Sequence, residues 1–145
     1  MLISPQRCET VVDQPDTKKK ILVVDDDETN RLVVRALMER RGYIVVEADS
    51  GQTALDTIKT DDFDFILMDL SMPGMDGFET TRRLRSVSDD LDNLPIFALT
   101  AHTSRKDVEK CLEAGLNGVL PKPFDSHRAD QLLSLINAPS GGTAC

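Results

Sequence analysis

Short apolar runs alternate along this chain with stretches whose apolar positions recur at spacings of three and four, and the alternation repeats five times. The runs are Ile21 to Val24, Ile44 to Val46, Phe65 to Met68, Pro95 to Leu99 and Gly118 to Leu120. They are continuous, as strands are when both faces of their sheet are covered. The stretches between them predict helices. In the first, Val33, Ala36 and Leu37 share a face and Gly42 stands where a left-handed C-cap belongs; the second runs from about Gly51 to Lys59 with Ala54, Leu55 and Ile58 inward. Asp76 and Glu79, three apart at the approach to Phe78 and Leu84, predict a capping box opening the third. Ser104 and Asp107 suggest a capped fourth helix with Val108, Cys111 and Leu112 inward and Gly115 as its stop; the last places Ala129, Leu132, Leu133 and Ile136 together. The pattern predicts an α/β fold, a five-stranded parallel sheet with helices on both faces and no internal repeat.

The two ends fall outside this pattern. Residues 1–18 carry Pro5 and Pro15 without a sustained period, and Ala138-Pro139-Ser140-Gly141-Gly142-Thr143 has linker composition, so 1–18 and 138–145 are expected to be mobile tails around a domain at 19–137. A chain of 145 residues is expected to hold one domain and one site.

Charge narrows the partners. The formal net charge is -8 and Lys and Arg form no basic footprint, which disfavours direct nucleic-acid binding; Arg82, Arg83 and Arg85 read as a solvated helix face. Apolar runs of about four residues are far too short for a membrane span, and the first residues lack a signal peptide's layout, so the expectation is a cytoplasmic chain without membrane contact. Cys8, Cys111 and Cys145 have no metal-type spacing, and Cys111 reads as a buried small hydrophobe.

Candidate chemistry lies where the strands end. Asp25 and Asp26 follow the first run, Asp69 the third, Thr100 the fourth and Lys122 the fifth, and a parallel sheet brings all these ends to one edge. The second run contributes nothing comparable, as suits an edge strand. Each residue alone has a plainer reading, as a helix cap, an Asx turn or an exposed lysine. Together they ask for more. Three carboxylates within about 5 Å would repel by roughly 3 kcal/mol per ionised pair at an effective dielectric near 20. A hard cation such as Mg²⁺ relieves that repulsion, and it is commonly held by one or two carboxylates beside a phosphate. Thr100 and Lys122 supply donors for phosphoryl oxygens, so the set describes phosphoryl transfer to a carboxylate nucleophile.

Val23-Val24-Asp25-Asp26-Asp27, the loop Asp69-Leu70-Ser71-Met72-Pro73-Gly74-Met75-Asp76-Gly77, Leu99-Thr100-Ala101 and Leu120-Pro121-Lys122-Pro123-Phe124 resemble the receiver domain of two-component response regulators. The runs Asp25 to Arg31 and Lys110 to Gly115 are most similar to receivers fused to hybrid sensor histidine kinases. The resemblance implies a flavodoxin-like (βα)5 fold with strand order 2-1-3-4-5. It makes Asp69 the phosphoacceptor, with Asp25, Asp26, Asp69 and the Ser71 backbone carbonyl around Mg²⁺. Lys122 would pair with Asp69 and then with its phosphate, across a cis bond to Pro123. Thr100 would couple the site to the surface of the fourth helix and fifth strand. The donor would be a histidine kinase or histidine phosphotransfer domain. The domain would catalyse its own phosphorylation and dephosphorylation without being a conventional enzyme, and could be part of a hybrid kinase. Val119 stands where many receivers carry an aromatic, so an aromatic rotamer change cannot be its readout. Ser71 and His102 match positions that tune phosphate lifetime; His102 is otherwise a loop residue and His127 a surface one.

Two other readings compete. Asp25-x-Asp27-x-Thr29 fits the haloacid-dehalogenase-type phosphatase signature, with Asp25 as nucleophile and Asp27 as acid/base, but only Asp125 and Asp130 follow the lysine and the Asp69 loop has no purpose there. The other is a receiver-like interaction module that is never phosphorylated. No nucleotide-binding glycine loop is present, so the chain reads as a recipient of phosphate and not as the kinase.

Overall fold

The apolar runs become five strands separated by five helices: β1 (Lys20–Val24), α1 (Glu28–Glu39), β2 (Ile44–Ala48), α2 (Gly51–Ile58), β3 (Phe65–Asp69), α3 (Gly77–Val87), β4 (Ile96–Thr100), α4 (Arg105–Glu113), β5 (Gly118–Pro121) and α5 (Ser126–Asn137). The computed structural model describes residues 19–87, 91 and 93–137; both proposed tails, with Cys8 and Cys145, lie outside the described residues. All four strand pairings are parallel and the order is β2-β1-β3-β4-β5. That is the flavodoxin-like order. Among the described residues no helix is long and apolar enough to cross a membrane.

Strand alternation splits the core in two. Leu22, Val24, Ile66, Met68, Ile96 and Ala98 face α2, α3 and α4, meeting Ala54, Leu55, Ile58, Leu84 and Cys111. Ile21, Val23, Phe65, Leu67, Phe97 and Leu99 face α1 and α5, meeting Val34, Met38, Ala129 and Leu132. Both faces are therefore dry, which is why the sequence shows unbroken apolar runs. Each large side chain buried this way stabilises the fold by about 1.5–3 kcal/mol. The smaller Cys111 is buried with them, and burial pushes its thiol pKa up.

Four local expectations need correcting. In α1 the buried residues are Val34 and Met38, with Leu37 partly covered, while Val33 and Ala36 face out. Apolar residues occupy six of the seven positions from Leu32 to Met38, so the sequence leaves the inward stripe undefined, and consecutive residues point about 100° apart. Leu112 on α4 is 52% exposed for the same reason, since the helix turns the adjacent Cys111 inward. The box predicted at α3 is half made: Asp76 Oδ1 accepts from Glu79 N at 2.9 Å, but the Glu79 carboxylate turns to Arg83 at 2.8 Å. The Ser104–Asp107 box is complete, and Gly42 and Gly115 take the positive φ expected of helix stops.

Arg85 departs furthest. Arg82 and Arg83 are exposed and ion-paired with Glu79, as a solvated face should be. Arg85 instead folds back across the sheet's N-terminal edge. Its guanidinium donates to the carbonyls of Leu91, Leu94 and Gly115 and to Asn117 Oδ1, tying the end of α3 to the approaches of β4 and β5.

Candidate functional site

β1 has β2 on one side and β3 on the other, so the chain reverses its direction of travel across the sheet between β1 and β3. The two helices that follow these strands lie on opposite faces and leave a crevice at the strand ends. Asp25 and Asp69 stand at that crevice. Both are buried, at 1% and 2% exposure, whereas Asp26 faces solvent. One carboxylate oxygen from each of Asp25, Asp26 and Asp69 lies within 4.8 Å of the others.

Lys122 crosses from the end of β5 to place Nζ 2.8 Å from Asp69 Oδ1. The same oxygen accepts from Ser71 N at 3.3 Å. Lys122 N donates to the Thr100 carbonyl at 2.9 Å, and the Lys122–Pro123 peptide is cis. Thr100 is buried, and its Oγ1 accepts from His102 N at 3.0 Å, so the hydroxyl holds the first turn of the loop leading to α4. The chain after Asp69 needs Gly77. A Cβ there would lie 2.5 Å from the Asp69 carbonyl and 2.8 Å from Leu70 Cα, closer than any side chain allows.

Asp25 reports the electrostatics. Its Oδ1 accepts from Asp27 N at 2.9 Å, while its Oδ2 is buried without a hydrogen-bond partner among the described residues. Burial, reinforced by the Asp69 charge, pushes its pKa up to about 6 from 3.8, against the opposing pull of the Asp27 N–H, Lys122 and the nearby Asn30 side chain. A buried carboxylate oxygen with no donor, next to two more carboxylates, suits a hard divalent cation with oxygen ligands. The residues therefore fit Mg²⁺.

Residues the sequence reading passed over stand behind this pocket. Arg31, in the first turns of α1, donates Nη1 to the Asp25 carbonyl at 2.8 Å and Nε to Glu47 Oε1 at 2.9 Å. Glu47 also receives Arg35 at 2.7 Å. Burial alone would raise the Glu47 carboxyl, but the two guanidiniums outweigh it and hold it below the usual carboxylate range. The edge strand β2 thus does reach the site, at one remove. No spacing in the sequence signals this, because Arg31 and Glu47 meet only when β2 lies beside β1.

The phosphatase arrangement is not assembled. Asp27 spends its carboxylate capping α1, accepting from Thr29 N at 2.9 Å. Asp125 accepts from Arg128 N at 2.9 Å at the start of α5, and Asp130 pairs with Arg41 at 3.0 Å. His102 and His127 are exposed, as expected.

Fold and crevice together are those of a phosphoaccepting α/β receiver, and comparison with known proteins agrees. Residues 21–136 match the response regulator receiver domain, and the chain belongs to that family, the receiver domains of two-component systems. It is 38% identical over 118 residues to the chemotaxis protein CheY-3 of Vibrio cholerae, an alignment spanning 81% of this chain and 90% of that protein. It is 33% identical over 136 residues to the sensor histidine kinase GacS of Pseudomonas protegens; that match takes 91% of this chain but only 15% of the kinase's length. Among solved structures it resembles the receiver domain of the sensor histidine kinase PA1611 of Pseudomonas aeruginosa, described with a magnesium ion coordinated in the active site cleft. The TM-score there is 0.73 at 34% identity, covering 82% of this chain and 97% of that one. Neither the phosphatase nor the unphosphorylated module gains support.

Proposed function

We propose that Asp69 is the phosphoacceptor of this receiver and that it takes its phosphoryl group from a phosphohistidine on a histidine kinase or histidine phosphotransfer domain. One observation carries the reading: Asp25, Asp26 and Asp69 converge within 4.8 Å while Lys122 grips Asp69 Oδ1 at 2.8 Å. Asp25, Asp26, Asp69 and the Ser71 carbonyl would hold Mg²⁺, which when bound supplies charge neutralisation for the transferred group. The magnesium described in the cleft of the PA1611 receiver supports that assignment.

The chain's own part is positioning. A carboxylate oxygen of Asp69 forms the O–P bond as the P–N bond to the donor imidazole breaks, and the electron pair leaves on the imidazole nitrogen. Lys122 orients the nucleophile beforehand and meets the phosphoryl oxygens afterwards. Thr100 gives up its bond from His102 N to reach the phosphoryl group, and this carries the change to the loop before α4. Attack of water on the phosphorus, breaking the O–P bond so that its electron pair returns to the Asp69 carboxylate and inorganic phosphate leaves, would return the domain to rest. The unit doing this spans 19–137 in the cytoplasm, alone or within a hybrid kinase. The net charge of -8 supports the absence of a direct nucleic-acid partner.

Incubation with acetyl phosphate or a phosphorylated histidine donor, followed by borohydride reduction and peptide mapping, tests the assignment. Label is expected on Asp69, absent in Asp69→Asn and retained in Asp27→Asn. Label on Asp25, or undiminished labelling of Asp69→Asn, would overturn it.

A further inference from the structure

A cation pocket gains nothing electrostatically from a guanidinium at its back, because a nearby positive charge weakens the attraction of the carboxylates for a metal. Arg31 is nevertheless there. Its side chain is only 15% exposed, so the charge is poorly screened and was not placed merely to face water. Its planar fork is committed to two acceptors, the Asp25 carbonyl through Nη1 at 2.8 Å and Glu47 Oε1 through Nε at 2.9 Å. Glu47 is itself braced, since its other oxygen takes Arg35 Nη1 at 2.7 Å.

The Asp25 carbonyl belongs to the peptide that joins Asp25 to Asp26. One hydrogen bond to it sets the plane from which both carboxylates project. Other contacts complete the hold: Asp25 N donates to the Ala48 carbonyl at 3.1 Å, and Asp27 N donates to Asp25 Oδ1 at 2.9 Å. Without the guanidinium, that peptide would lose its one side-chain donor among these contacts, and the approach of three like-charged groups would favour its rotation.

We propose that Arg31, braced by Glu47, is a positioning residue for the metal pocket: it holds the Asp25–Asp26 peptide so that both carboxylates face Asp69. The proposal rests on the reading of Asp25, Asp26 and Asp69 as Mg²⁺ ligands. It makes a prediction opposite in sign to simple electrostatics. Loss of the Arg31 charge alone would tighten Mg²⁺ binding; loss of its positioning weakens it.

Isothermal titration of magnesium chloride into the full chain at fixed ionic strength, beside thermal melts in EDTA, separates the two. Arg31→Met is expected to bind Mg²⁺ about tenfold more weakly than wild type, the usual cost of losing a partner that orients metal ligands. Arg31→Lys keeps the charge but cannot hold both acceptors in one fork, and is expected to lose roughly threefold or more. A lower melting temperature with affinity equal to or tighter than wild type would make Arg31 purely structural and overturn the proposal. Should Arg31→Met fail to fold, Arg31→Lys decides: wild-type affinity there overturns it equally. Wild type that binds no Mg²⁺ would instead overturn the metal assignment, and this proposal with it.

Discussion

Replacing Asp25 with asparagine is expected to make the metal-free domain more stable, although it removes a residue at the heart of the site. Asp25 is buried, one of its oxygens has no donor, and its proton leaves near pH 6 in the native state against 3.8 in a free chain. At 1.36 kcal/mol per pH unit, the ionised native form carries a penalty of about 3 kcal/mol. Asparagine keeps the oxygen that accepts from Asp27 N and removes the charge. For a domain of this size that gain corresponds to a rise in melting temperature of roughly 10 °C.

The pH dependence fixes the sign. Below 3.8 Asp25 is protonated in both states and costs nothing; between 3.8 and about 6 the native state keeps a proton the unfolded chain has released, so stability falls as pH rises; above 6 the penalty is complete. Asp61, Glu79 and Asp107 are held below the usual carboxylate range by Lys20, Arg83 and Ser104, and so lose stabilisation as pH falls, but they do so in both proteins and cancel in the difference. The assay is thermal unfolding by circular dichroism in EDTA, for wild type and Asp25→Asn, from pH 4 to 8. The variant should melt about 10 °C higher at pH 7.5, with the gap closing toward pH 4. A variant no more stable at pH 7.5, or a gap independent of pH, would refute the account of Asp25 as a strained carboxylate.

Thr100→Ala should still accept phosphate, since the nucleophile and Lys122 are untouched, but should show smaller phosphorylation-induced NMR shifts along the loop from His102 to α4; shifts as large as wild type would remove Thr100 from the coupling. Arg85→Met should destabilise by about 2–4 kcal/mol, because it strips charged donors from the carbonyls of Leu91, Leu94 and Gly115. Urea unfolding measures that loss, and an unchanged Mg²⁺ affinity would place the clamp at the edge of the sheet remote from the carboxylates.

The fold was legible in the chain because a sheet covered on both faces must be written as unbroken apolar runs, and helices between them as apolar residues three and four apart. Asp25, Asp26, Asp69, Thr100 and Lys122 were legible for a related reason. Each lies within two residues of the end of a run, and parallel strands bring all such positions to one edge whatever their separation in sequence. What the chain left open was orientation about a helix axis. Leu32 to Met38 is apolar almost throughout, so only packing against β1 and β3 could choose Val34 and Met38 over Val33 and Ala36. Side chains long enough to leave their own element were equally hidden. Arg85 reads as one of three solvated arginines until the carbonyls before β4 and β5 come within its reach. Arg31 and Glu47 have no pattern to betray them, because their meeting depends on β2 pairing beside β1, a long-range choice that local periodicity does not encode. Local chemistry names the candidate groups; the tertiary fold alone decides which neighbours hold them still and how far burial shifts a carboxyl's pKa.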